Sequence, residues 1–196
     1  MKECYQLDIT IALKTEYLIY FYKKDNFMDF DIIKSLTNEY THECANTRKL
    51  LEKVPLDNPS WKPHEKSMTI QNLAVHIADI PNWVPITIEK NELDFAKGDY
   101  QPKTATTTAE LLKIHDDATT AALLSIKNAT ADILKNENWT MRNGETIYFT
   151  MPKIAVLRSF AFNHIYHHRG QMTVYLRLLG VAVPGMYGPT ADDQSM

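Results

Sequence analysis

A chain of 196 residues with 44% hydrophobic content is long enough for one sizeable core and too short for two ordinary domains. Its 21 basic and 24 acidic residues leave a formal charge of −3, which removes the general attraction that drives non-specific binding to phosphate backbones and argues against a nucleic-acid partner. No run of about 18 uncharged apolar residues exists to span a membrane, and Cys4 and Cys44, with no C-x-x-C pair, point to free thiols in a reducing cytoplasm.

Residues 1–27 stand apart from the rest of the chain. Leu7 to Tyr22 is apolar but carries Asp8, Lys14 and Glu16, and it lacks the basic start and small-residue cleavage site of a secretory signal. Two readings stay open for this stretch: an extension outside the core pattern, as from an upstream start codon, or a packed extra element. The domain itself is expected over residues 28–196.

From Asp29 to Val54 the positions Ile32, Ile33, Leu36, Tyr40, Cys44, Leu50 and Leu51 recur mostly at helical spacing, and Pro55 ends the run. This predicts helix one. A proline-rich connector, Pro55 to Pro63 with Trp61 inside it, leads to Thr69, which opens helix two with Ile70, Leu73, Ile77 and Ile80. An interior proline removes a backbone bond and clashes one turn back, so helix two should kink or break near Pro81. Residues 91–105 read as a polar connector.

Thr107 and Glu110 have the spacing of a capping box. They open helix three, which carries Leu111, Leu112, Ile114, Leu123, Leu124 and Ile126 and ends between Lys127 and Lys135. Asn143-Gly144, inside Trp139 to Phe149, is a hairpin-turn signal. Thr150 and Pro152 then start, and Gly180 stops, a fourth helix of about 28 residues, roughly 42 Å at 1.5 Å per residue. The sum is an all-α four-helix bundle with a short β-hairpin between helices three and four.

Helix four contains Asn163-His164-Ile165-Tyr166-His167-His168-Arg169-Gly170-Gln171. Residues four apart on a helix are surface neighbours roughly 6 Å apart, so the imidazoles of His164 and His168 can converge on one ion. At about 100° per residue both fall within the inward stripe of Leu157, Ala161, Met172, Tyr175 and Leu179. Arg158, Tyr166, Arg169 and Arg177 fall outside it, and His167 sits at its flank. Burying two imidazoles against apolar neighbours is costly unless their nitrogens find partners, which an ion supplies.

The candidate third ligand is His76, which lies in the apolar sector of helix two between Trp83 and Ile80. His42, His64 and His115 lack that placement or a paired neighbour. A lone core histidine is more often a hydrogen-bonded structural residue; the spaced pair on helix four is what favours a metal. Three histidine donors leave an open position on a four-coordinate ion, the pattern of catalytic rather than closed structural sites.

Several motifs together carry a resemblance: Trp61-Lys62-Pro63, Ser67-x-Thr69-Ile70 running into Leu73-Ala74-Val75-His76-Ile77-Ala78, and His164-x-x-x-His168-Arg169-Gly170-Gln171 with Tyr175-Leu176-Arg177. Val183-Pro184-Gly185 and Tyr187-Gly188-Pro189 come after the last helix. Over about residues 28–193 the chain resembles the DinB-like (damage-inducible, YfiT-related) metal-binding four-helix proteins, which are unrelated to the similarly named DNA polymerase. The resemblance implies His76, His164 and His168 as ligands of zinc, nickel or another divalent ion, in an up-down-down-up bundle that is often a homodimer. Family members with known activity include thiol-dependent S-transferases and isomerases using mycothiol, bacillithiol or glutathione. Residues 1–27 have no counterpart in the family pattern.

Other residues admit two readings each. Arg169 and Gln171 either hold a substrate carboxylate and orient a ligand, or are a surface arginine and a boundary glutamine. Gly170 costs about 1 kcal/mol relative to alanine inside a helix, which close approach of another helix would offset. Asp79, three residues after His76, either accepts a hydrogen bond from a ligand imidazole or is a solvated helix position. Trp61, Trp83 and Tyr175 either line a pocket or belong to the core.

The functional expectation is a cytoplasmic metal-dependent enzyme acting on a small electrophile, either by S-transfer from a low-molecular-weight thiol or by hydrolysis. The thiol version rests on the resemblance alone. The alternatives are a stress-responsive metal- or ligand-binding protein without turnover, and a helical scaffold whose histidines are core residues.

Overall fold

A computed structural model describes residues 31–194; the alternatives for residues 1–27 fall outside them. The described chain is mostly helical with one three-stranded sheet. The first helix, α1 (Ile32–Leu51), buries Leu36, Tyr40, Cys44, Leu50 and Leu51, and the polar Glu43 and Thr47 lie on the same buried side. Helix α2 (Ile70–Asp79) starts where the Thr69 hydroxyl accepts from the Asn72 backbone N–H, satisfying one of the orphan donors of a helix start.

Helix two breaks at the predicted place. Ile80–Asn82 form a 3-10 turn around Pro81, and α3 (Trp83–Glu89) resumes beyond it. Pro85 is accommodated because it falls in the first turn of α3, where its missing N–H has no intrahelical partner to lose.

The connector over 91–105 holds more than expected. Strand β1 (Glu92–Asp94) pairs in parallel with β2 (Asn138–Asn143), and β2 pairs antiparallel with β3 (Thr146–Pro152). The hairpin was legible from Asn143-Gly144, whose glycine takes φ 57°, a left-handed value that glycine adopts without steric cost. Asp94 fastens β1 to that turn, its Oδ1 accepting from the Gly144 backbone N–H at 2.9 Å. A three-residue strand is too short to show a period of two, which is why β1 left no pattern.

Helix α4 (Thr108–Asn128) opens on the expected capping box, with the Thr107 hydroxyl and the Glu110 carboxylate each accepting from the other's backbone. A short helix, α5 (Ala131–Asn136), capped by Thr130, comes next. The expectation of four plain helices is therefore revised: helix two is split, α5 is added, and helix four is not uniform. That last helical path runs through α6 (Lys153–Val156), a π segment (Leu157–Asn163) and α7 (His164–Leu178). A π segment bonds one residue further along the chain than an α-helix, so the 100° count from His164 does not extend back through it.

The main core joins Leu73 and Ile77 of α2 to Leu111 of α4 and to Met172 and Leu176 of α7, all buried. Each such side chain contributes about 1.5–3 kcal/mol of burial free energy before conformational entropy is subtracted. A smaller cluster, Leu93, Trp139, Met141 and Val156, lies under the sheet. No helix among the described residues is long and apolar enough to cross a membrane.

Candidate metal centre

Packing of α2 against α7 brings His76 to His164 and His168. Leu73 and Ile77 bury one face of α2, and His76 sits at the edge of that face, half-buried toward α7. On α7 the neighbouring Ile165, Met172 and Leu176 are buried, so the two histidines point along the same seam. The three ring centroids lie 4.5–5.0 Å apart. One ligand atom from each ring falls within 4.8 Å of the others.

Two nitrogens on one tetrahedral ion, each about 2.0–2.1 Å from it, are about 3.3 Å apart. The group therefore closes on a single ion with side-chain adjustments of about 1 Å, and it could hold one. His76 Nε2 and His164 Nε2 are already 2.9 Å apart. His167, although its ring touches that of His168, is exposed and outside the group.

Burial and mutual proximity keep the three rings neutral, the form that offers a lone pair. Desolvation pulls His164 down to about 4, with His168, His76 and His167 adding to the effect. His76 is lowered first by burial and then by His168. His168 is lowered by burial, against which the hydrogen bond to Gln171 acts. That bond, His168 Nδ1 to Gln171 Oε1 at 2.7 Å, decides the tautomer. An amide oxygen only accepts, so Nδ1 carries the proton and Nε2 is left as the donor atom. Gln171, although exposed, is thus in contact with the ring rather than free in solvent.

A cavity of about 350 Å³ reaches the site through His76; Gln71, Asp79, Tyr100 and Lys103 are among its other lining residues. Asp79 is not the solvated residue that average behaviour favours. It is 2% exposed, accepting from Asn82 Nδ2 at 2.7 Å and from the Tyr100 hydroxyl at 3.1 Å. Burial, together with Asp79, pushes the Tyr100 phenol up to about 12. Tyr100 and Lys103 were missed because nothing in a polar connector marks which helix it will lie against.

Arg169 also departs from expectation. Outside the inward stripe by helical count, it is nonetheless 1% exposed, because α7 is covered on a second side by α1. Its Nη1 donates to the Glu43 carbonyl at 2.9 Å and its Nη2 to the Glu43 carboxylate and the Tyr187 hydroxyl. The Tyr187 hydroxyl in turn donates to Glu43 Oε2 at 2.5 Å. Gly170 is not explained by close helix approach, since an added Cβ would meet nothing within 4 Å. Trp61 packs edge-on against Tyr175, and Trp83 packs on Tyr100 and Phe160; none of Trp61, Trp83 and Tyr175 lines the His76 cavity.

The DinB family model matches residues 28–195. The chain is 24% identical over 164 residues to the uncharacterized protein YrdA of Bacillus subtilis, covering 84% of this chain and 93% of that one. It is 28% identical over 135 residues to the uncharacterized protein YjoA of the same organism, covering 68% and 82%. Among solved structures, a DinB-like protein from Bacillus cereus superposes with a TM-score of 0.55 at 24% identity, over 76% of this chain and 94% of that one. The DinB-like YjoA of Bacillus subtilis superposes with a TM-score of 0.58 at 21% identity, over 82% and 99%. At these identities the structural likeness speaks for the fold.

Proposed function

Since the chain belongs to the DinB family, we propose that it is a divalent-metal-dependent enzyme in which His76, His164 and His168 hold one zinc or nickel ion and a small electrophile is attacked beside it, by thiol S-transfer or by hydrolysis. The observation that carries this reading is the convergence of the three ligand atoms within 4.8 Å. In the same reading α1, α2, α4 and α7 are the long helices of the family's four-helix bundle.

The chain's own residues have distinct parts in it. The neutral imidazoles present lone pairs at one point, and Gln171 fixes His168 so that Nε2 faces that point. A divalent ion held there supplies Lewis acidity, which acidifies a water or a thiol. The cavity that reaches His76 provides a place for substrate, which favours an open site over a closed structural one. Tyr100, its hydroxyl held by Asp79, forms part of that wall and keeps its proton at neutral pH.

The test begins with metal content by elemental mass spectrometry on untagged protein, alongside His76→Ala and His168→Ala, with folding followed by circular dichroism. About one divalent ion per wild-type chain, lost in both folded variants, is the expected outcome. Absence of bound metal after incubation with zinc and nickel defeats the reading. Turnover is then assayed with candidate thiols and a chromogenic electrophile; if no metal-dependent acceleration occurs with thiol or with water, a binding protein without turnover replaces the enzyme.

A further inference from the structure

A second cavity, of about 400 Å³, lies where the ends of α3 and α4 meet α5 and the start of α6, and it shares no lining residue with the cavity at His76. Two of its polar lining residues are buried, Lys153 at 2% exposure and Ser125 at 3%. The Lys153 ammonium donates to the Ile88 carbonyl at 2.8 Å and to Glu137 Oε2 at 2.9 Å. The Ser125 hydroxyl, by contrast, has no hydrogen-bond partner among the described residues. Elsewhere on the helices of this chain Thr37, Thr41, Thr47 and Thr120 each donate to the carbonyl four residues back, the common resort of such side chains. A buried hydroxyl without that bond has lost water and gained nothing in return, so it calls for a polar group in the cavity.

The lining decides which group. Glu89 and Glu137 stand against Lys153. Lys153 is matched by Glu137, whereas Glu89 is exposed and makes no ion pair among the described residues. Ser125 and Asn128 belong to the last turn of α4, whose carbonyl ends carry partial negative charge. An anion would face a carboxylate and a helix C-terminus together. A metal ion would lack its ligand set, because the group of three converging ligands among the described residues is that of His76, His164 and His168. An ammonium suits each feature, and Lys153 shows one already held on the same wall by a carbonyl and a carboxylate.

We propose that this cavity binds the primary ammonium group of a small organic amine, with the Glu89 carboxylate as its counter-ion and the Ser125 hydroxyl as an acceptor. A hydroxyl both donates and accepts, so Ser125 meets the ammonium by rotation about one bond. The site is separate from the histidine centre and stands whether or not that centre holds a metal.

The test compares n-butylamine, an ammonium at neutral pH, with n-butanol, its neutral counterpart, by titration of the full-length nitrogen-15-labelled protein in amide correlation spectra. The amine should shift the signals of residues 88–91 and 125–129 to saturation, and the alcohol should not. Glu89→Gln should weaken binding about threefold, the scale of an exposed ion pair, and Ser125→Ala about fivefold, the scale of one hydrogen bond. Without amine, Ser125→Ala should keep the wild-type melting temperature, because the hydroxyl gives up no internal bond. Equal shifts from the alcohol, shifts that never saturate or that centre on other residues, or an affinity unchanged by either substitution overturns the site. A clear fall in the melting temperature of Ser125→Ala overturns it as well, since the hydroxyl would then be answered within the fold.

Discussion

On one side of α7, Arg169 meets Glu43, Thr47 and Tyr187 in a set of hydrogen bonds contributed by α1 and the C-terminal segment. On the other, His164 and His168 meet His76 and a cavity. Both sides bury polar groups, but the first matches a cation to a carboxylate whereas the second gathers three imidazoles. A buried guanidinium matched to a buried carboxylate holds α7 to α1, because removing either partner strands a charge. His76 and His164 meet through a 2.9 Å contact of their Nε2 atoms and His168 holds Gln171, and a cation would give the three rings one common partner. The contrast separates the side that anchors the helix from the side left open to a ligand, although Arg169 directly follows His168 in sequence.

The largest expected effect falls on the anchoring side. Arg169→Met leaves Glu43 buried without its cation and should cost about 3–5 kcal/mol of stability, read as a large drop in the urea midpoint with unchanged slope. A cost below about 1 kcal/mol would place the pair among exposed ion pairs and dissolve the contrast. Next is Gln171→Leu on the other side, which removes the acceptor that orients His168. Losing such a partner typically costs 10–100-fold in metal affinity, so a competition titration with a chelating dye should show a loss of about that size at nearly constant melting temperature. Unchanged affinity would mean that packing alone sets the ring.

The smallest expected effect lies between the two sides. Gly170 is in mid-helix, exposed, and open around its Cβ direction. Gly170→Ala should therefore stabilise the protein by about 0.5–1 kcal/mol, seen as a modest rise in melting temperature with metal content unaltered. Destabilisation would show that the glycine answers to a neighbour outside the described residues.

Much of the fold was legible wherever a signal is short-range. The capping box at Thr107 and Glu110, the break at Pro81 and the hairpin at Asn143-Gly144 each depend on hydrogen bonds within a few residues, and each appears where expected. The π segment was invisible because a shift in hydrogen-bond register leaves no compositional mark. Helical counting placed His164 and His168 on one seam correctly, since that count runs entirely within α7. The same count failed for Arg169, because it assumes a single buried face whereas α7 is covered on two.

By itself, then, the sequence determined the helix starts and breaks, the hairpin turn and the two histidines on one helix face, all through interactions between near neighbours in the chain. Only the tertiary structure decided that His76 reaches that face, that Arg169 is buried against α1, and that Tyr100 and Lys103 line the cavity that reaches His76. Each of these depends on which helix faces meet and on contacts far apart in sequence, such as Gln71 with Ala105 and Asp79 with Tyr100. Long-range pairings of that kind are selected by the packing of the whole core rather than by any local pattern.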